Sequence, residues 1–135
     1  MAVQILSDAF ISIDGNDISD HVAEVQLTYE SETDDDTAFG DTTRSAIGGL
    51  KNWSISLTAH QDWASSNLDS ILFPLVGTTF TVILRKDSGS VSATNPNYTG
   101  TGLLTGYSPL AGAVGDLART PINIVAAGTL SRATS

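Results

Sequence analysis

The 135-residue chain contains no cysteine. That absence removes a disulfide framework, a thiol nucleophile and every cysteine-based zinc site, and it fits a protein made and used in a reducing compartment. Lys and Arg are missing from the first 43 residues, which hold eleven Asp and Glu; that segment carries −11 and the remainder +2. Duplex DNA is gripped by bases that neutralise phosphates, so this is not the composition of a nucleic-acid clamp. Long apolar runs are also missing. Nothing approaches the roughly 18 residues of a membrane span, and no base precedes the short apolar patch of residues 1–10, so neither a membrane helix nor a signal peptide is expected. Aromatic residues make up only 7% of the chain, too few to suggest a ligand surface of clustered rings.

What remains is a chain rich in Gly, Ser and Thr, of a size for one domain spanning residues 1–135. Alternation of period two marks its strands. Ala9, Ile11 and Ile13 oppose Phe10, Ser12 and Asp14, ahead of a turn in which Gly15 and Asn16 are expected to take positive φ. Ala23, Val25, Leu27 and Tyr29 oppose Glu24, Gln26, Thr28 and Glu30. Trp53, Ile55, Leu57 and Ala59 oppose Ser54, Ser56, Thr58 and His60 over residues 51–61. Further strands are predicted over 78–86, 98–107 and 116–130. In the fifth of these segments Gly100, Gly102 and Gly106 share a face, which predicts a bulge, a bend or packing beneath a large neighbour such as Trp53. Leu68, Ile71, Leu72 and Leu75 have helical spacing behind the capping candidates Ser65, Ser66 and Asn67, and Pro74 should end that helix near Phe73. The fold class predicted is mainly β, a β-sandwich or open barrel with one short α-helix packed against it.

No catalytic constellation emerges. An EF-hand loop starting at Asp34 would need an oxygen ligand where Ala38 stands and glycine where Phe39 stands, so Asp34, Asp35 and Asp36 fail as a calcium motif. Gly100-Thr-Gly102-Leu-Leu-Thr-Gly106 has one residue too many for a dinucleotide fingerprint and opens no helix. Gly106-Tyr-Ser-Pro-Leu110 misses the last glycine of a nucleophile elbow. His21 and His60 read as ordinary residues of polar faces. The chain is expected not to be an enzyme and to need no cofactor or metal.

The unusual stretch is 31–50, an acidic loop too long for a compact domain unless it has a task. It is punctuated by the apolar residues Phe39, Ile47 and Leu50. A strand ending in Asp14-Gly15, the acidic strand 22–30, a loop carrying Thr37-Ala-Phe-Gly-Asp-Thr42 and Arg44, then Gly49-Leu-Lys-Asn-Trp-Ser-Ile-Ser-Leu57 and a short helix resemble the major tail (tail tube) proteins of long-tailed bacteriophages. The likeness is concentrated between Asp14 and Gly77. It implies hexameric rings stacked into a hollow tube through which DNA passes without specific binding. The partners it implies are copies of the chain itself and other tail proteins such as the tape measure and terminator, with no membrane; the location is the virion tail, after synthesis in the host bacterial cytoplasm. In such proteins the long loop reaches the neighbouring ring, which makes Asp34, Asp35, Asp36, Phe39, Asp41, Arg44, Ile47 and Leu50 the inter-subunit residues. Inward-facing strands line the tube, and Glu24, Gln26, Thr28 and Glu30 are candidates for that polar lining. The alternatives are a single-ring tail terminator or head-tail connector, and a β-sandwich binding or decoration module that does not polymerise.

Overall fold

The computed structural model describes residues 5–135. Its strands form one antiparallel sheet. In chain order they are β1 (Phe10–Ile13), β2 (Asn16–Asp17), β3 (Val22–Asp35), β4 (Ala46–His60), β5 (Thr79–Arg85), β6 (Asn97–Tyr107), β7 (Arg119–Ala126) and β8 (Ser131–Ala133). The spatial order is β2-β1-β5-β6-β7-β4-β3, and β8 adds to β6 beside the end of β7. The two margins are not joined, so of the two predicted architectures the chain adopts the open, unclosed sheet rather than two stacked ones.

The period-two faces supply the core. Ile11 and Ile13 of β1, Trp53, Ile55, Leu57 and Ala59 of β4, Phe80, Val82 and Leu84 of β5, and Ile122 and Ile124 of β7 are all buried in one cluster. The helix α1 (Leu68–Leu72) continues into a 3-10 turn, Phe73–Leu75, where Pro74 cannot supply the next helical N–H. It lays Leu68 and Leu72 on the same core, with Ile71 and Leu75 at its margin. Asn67 is at the N-cap position but makes no side-chain cap bond. Instead the Asp69 N–H donates to the Asp62 carbonyl.

Trp53 sits where the pairing of β4 with β7 stops. Its strand pairs with β7 only from Ser54 onward, opposite Val125. There the chain bends away through residues 127–130 before resuming as β8. The indole fills that gap: Nε1 donates to the Gly128 carbonyl at 2.8 Å. A Cβ added to Gly100 would lie 2.7 Å from the Trp53 ring, and one on Gly102 would lie 2.5 Å from Ile124 Cγ2. The glycines are therefore the floor on which the ring rests, as their shared face suggested. A bulge between Leu104 and Gly106 turns Gly106 away from that face, toward Asn123.

Beyond Trp53 the prediction of a loop over 31–50 is corrected. β3 and β4 continue as a two-stranded ribbon, pairing Ser31 with Lys51, Thr33 with Gly48, Asp34 with Ile47 and Asp35 with Ala46. Only residues 36–45 are a turn. The periodicity of a two-sided ribbon is invisible in sequence because neither face is buried. Three smaller expectations also shift. Positive φ falls on Asp14 and Gly15, at 53° and 82°, not on Gly15 and Asn16. Ala23 leaves the inner face because a bulge separates Val22 from Glu24, and Tyr29 is 53% exposed because it stands past the end of the core. The reading of residues 1–4 as part of a non-exported terminus lies outside the described residues.

The contact geometry at Trp53 makes a direct prediction for the glycines. Gly102→Ala should destabilise the fold by about 1–3 kcal/mol through overpacking against Ile124. Gly48→Ala on the ribbon meets only Ser31 Oγ at 3.4 Å, so its effect should stay within about 0.5 kcal/mol. Urea denaturation of both variants checks the contrast, and equal losses would refute it.

Candidate functional site

The ribbon begins where burial ends. From Ser31↔Lys51 outward every residue is exposed except Thr37, and the paired portion carries the turn on the order of 15 Å away from the core at about 3.3 Å per residue. An unsupported two-stranded ribbon is marginal in water, so the order of its tip needs local causes. Several are present. Asp36 N–H donates to the Ser45 carbonyl, Ser45 N–H donates to Thr37 Oγ1 at 2.7 Å, and Thr37 Oγ1 donates back to the Ser45 carbonyl at 3.2 Å. Asp35 accepts the Thr37 N–H at 2.9 Å and pairs with Arg44 Nη1 at 2.9 Å. The bonds from Thr37 chiefly, and then Arg44, hold the Asp35 carboxyl below its usual pKa. Asp41 Oδ2 accepts the Ala38 N–H, and the Asp41 N–H donates to the Ala38 carbonyl.

This wiring holds apolar side chains in water along the whole arm. Phe39 at the turn is fully exposed, Ile47, opposite Asp34, is 57% exposed, and Leu50 at the root is 77% exposed. Asp34, Asp35, Asp36 and Asp41 lie at the outer half of the arm with Arg44 as the single turn base. The structure thus gathers all eight candidates, Asp34, Asp35, Asp36, Phe39, Asp41, Arg44, Ile47 and Leu50, on one arm. It gathers the other candidate set as well. Glu24, Gln26, Thr28 and Glu30 lie on the outer face of β3, register-paired with Thr58, Ser56, Ser54 and Asn52 of β4. The result is a polar sheet face with no base between Glu24 and Glu30.

The acidic third of the chain does not collect at one end of the molecule. β1 and β2 lie at one margin of the sheet and β3 at the other, so acids appear along both margins and at both ends. Across the open seam they line a groove of about 930 Å³ that includes Asp8, Asp17, Asp20 and Glu24 and no Lys or Arg. No group of three or more His, Asp or Glu among the described residues is placed to hold a metal ion, and no helix among them is long and apolar enough to cross a membrane.

Two polar clusters at the end opposite the ribbon escaped sequence reasoning. His21, expected to be an ordinary surface residue, is enclosed: Nε2 lies 3.0 Å from Asp62 Oδ2 and Nδ1 2.9 Å from Asp20 Oδ1. Asp62 is 41 positions away, so no local spacing could announce the pair. The bond to Asp62 raises the His21 pKa against the opposing effect of partial burial, with Asp20 adding to the rise. Tyr107 donates to Asp69 at 2.7 Å and accepts from Gln61, whose Nε2 also donates to the Pro109 carbonyl. Burial and the Asp69 carboxylate push the Tyr107 pKa up to about 12. This network fastens the helix, the end of β4 and the loop after β6 to one another. Its groups are mutually satisfied and offer no nucleophile or open acid-base pair.

The enclosed histidine has a pH signature. A pKa raised on folding means the imidazolium stabilises the fold fully below the ordinary value of 6.5, and that contribution is lost as pH rises through the raised folded value. Between about pH 6 and pH 8 the melting temperature of the wild type should fall relative to that of His21→Asn. Parallel curves for the two proteins across that window would contradict the enclosed geometry.

No protein-family model matches the chain, and no curated protein sequence does. Solved structures do. A chain from the virion of the native gene transfer agent (GTA) particle and one from the tail of the empty GTA particle, refined helically with C6 symmetry, each superpose with TM-score 0.75 at 20% identity, covering 96% of this chain and 98% of theirs. A chain of the six-fold symmetrised anti-feeding prophage (AFP) baseplate superposes with TM-score 0.55 at 11% identity, covering 98% of this chain and 97% of its own. The Dit protein of phage SPP1, described as a hub of the adsorption apparatus, gives TM-score 0.50 at 16% identity over 90% of this chain but only 50% of its own. The chain therefore has the fold found in components of phage-type tails and baseplates.

Proposed function

We propose that this chain is a structural tail protein that assembles with copies of itself into rings stacked as a tube, through which DNA passes without being specifically bound. The observation that carries the reading is the arm: a hydrogen-bonded ribbon and turn holding Phe39, Ile47 and Leu50 in water, exposed among the described residues. Exposed apolar anchors on a pre-ordered element lose little entropy on docking, which is the economy of an interface. The end-to-end superposition on a chain from a helically refined C6 tail supports the same reading. In such a tube the outer face of β3, with Glu24, Gln26, Thr28 and Glu30, is suited to line the channel, because carboxylates and amides repel or slide past phosphates rather than binding them. An enzymatic role has no site to rest on, and the neighbours are named as particle, tail, hub and baseplate components.

A second reading, a single-ring hub, terminator or connector, draws on the superpositions with the SPP1 hub and the AFP baseplate. The two differ in whether the contact repeats along the axis. Electron microscopy of the purified protein at high concentration, beside a variant lacking residues 33–47, separates them. Uniform tubes from the wild type, and folded but dispersed subunits from the deletion, are expected. Isolated rings would favour the terminator or hub, and monodisperse wild-type subunits would overturn self-assembly.

A further inference from the structure

The arm leaves one end of the sheet; the opposite end carries a second exposed apolar segment. The registers Val22↔Ala59, His60↔Arg119 and Tyr107↔Ile122 place the loop 108–118 at the far end from the ribbon. In that loop Leu110 is 84% exposed, Val114 fully exposed and Leu117 58% exposed. The loop is tethered at its start, where Gln61 binds the Pro109 carbonyl at 2.7 Å, and closed at its tip, where Asp116 Oδ2 accepts the Ala113 N–H at 3.1 Å. Beneath it Ala111, Gly112, Asp116, Leu117, Arg119 and Pro121 line a hollow of about 340 Å³.

Charge selects what that hollow can receive. Arg119 is the one Lys or Arg at this end among the described residues, since Arg44 and Lys51 are on the ribbon and Arg85, Lys86 and Arg132 lie toward the ribbon end of the sheet on other strands. Asp20 and Asp62, held by His21, and Asp69, held by Tyr107, stand at the same end, and Asp116, in the hollow with Arg119, is turned onto its own loop. A ribbon turn bearing four Asp and one Arg would be repelled over most of this end and attracted only beside Arg119. No ion pair among the described residues engages Arg119.

We infer that the occupant of this hollow is the ribbon turn of a second copy of the chain, with Phe39 entering beside Leu117 and the exposed Leu110 and Val114 of the same loop, and the Asp34 and Asp36 carboxylates facing Arg119. This rests on the self-assembly reading and specifies which surfaces meet. Because arm and hollow are on opposite ends, the contact is heterologous and does not close on itself, so every docked copy offers a new hollow and a new arm. Self-pairing of two arms, the isologous alternative, would set like charges against each other.

The cysteine-free chain permits a clean test. Ala38→Cys and Val114→Cys, introduced together, keep Phe39 in place and bring two thiols within disulfide reach only if the turn occupies the hollow of another copy. Mild oxidation of concentrated protein should give a ladder of dimers, trimers and longer species on a non-reducing gel. The control pair Ala38→Cys with Ser54→Cys, whose second thiol sits on the sheet face, should stay monomeric. Tubes in the microscope without a ladder would overturn this contact and leave the tube reading standing. A ladder with unstacked chains would support the contact and count against the tube. Neither tubes nor ladder would overturn both, and dimers alone would overturn the head-to-tail geometry. A charge exchange gives a second reading: Arg119→Glu should slow assembly by about tenfold or more, and adding Asp36→Lys should recover it. Two variants that assemble like the wild type would refute the role of Arg119.

Discussion

The indole of Trp53 divides the molecule into a part that is complete and a part that is not. It lies on Gly100 and Gly102 and ties its nitrogen to the Gly128 carbonyl at the bend between β7 and β8. Inside that plug, every strand of β4–β7 lends one face to a common core. Outside it, β7 no longer accompanies β4, and the β3–β4 pair runs on with neither face covered. The position of one ring thus decides where hydrophobic burial stops and where a projecting arm starts.

Burial cannot hold that arm, so short-range polar chemistry does. Thr37 and Ser45 exchange hydrogen bonds across its neck, Asp35 grips both Thr37 and Arg44, and Asp41 closes the turn beneath Phe39. Exposed bonds of this kind contribute little to global stability, but together they restrict the conformations from which Phe39 would dock. At the opposite end the Tyr107–Gln61–Asp69 network does the same for the loop 108–118, fixing its root while leaving Leu110, Val114 and Leu117 in water. Both ends are thereby pre-ordered without being buried, which is the arrangement expected of surfaces that complete one another across subunits.

Most of the core could be read from sequence because a half-buried strand writes its geometry as alternation. Trp53 to His60, Phe80 to Leu84 and Ile122 to Ala126 do so, and the Gly100–Gly102 spacing pointed to a large neighbour. The helix was legible from Leu68, Ile71, Leu72 and Leu75, with Pro74 as its stop. What was not legible has physical causes. The ribbon 31–50 buries neither face and so has no period; β2 and β8 are too short to show one. His21 meets Asp62 only through tertiary structure. The stretch holding the candidate arm residues stood out through its apolar punctuation, and their inter-subunit role was implied by the resemblance to tail tube proteins, but the hollow near Arg119 did not stand out, because Leu110, Val114 and Leu117 are spaced like any loop.

In the proposed assembly the body folds alone while the ribbon turn and the far loop are covered by other copies. Amide hydrogen exchange, compared between dilute and concentrated protein, tests this residue by residue. Exchange in 36–45 and 108–118 should slow by at least about tenfold on assembly, while the already protected amides of β4–β7 stay unchanged. Unaltered exchange in those two segments in protein shown to be assembled would contradict it.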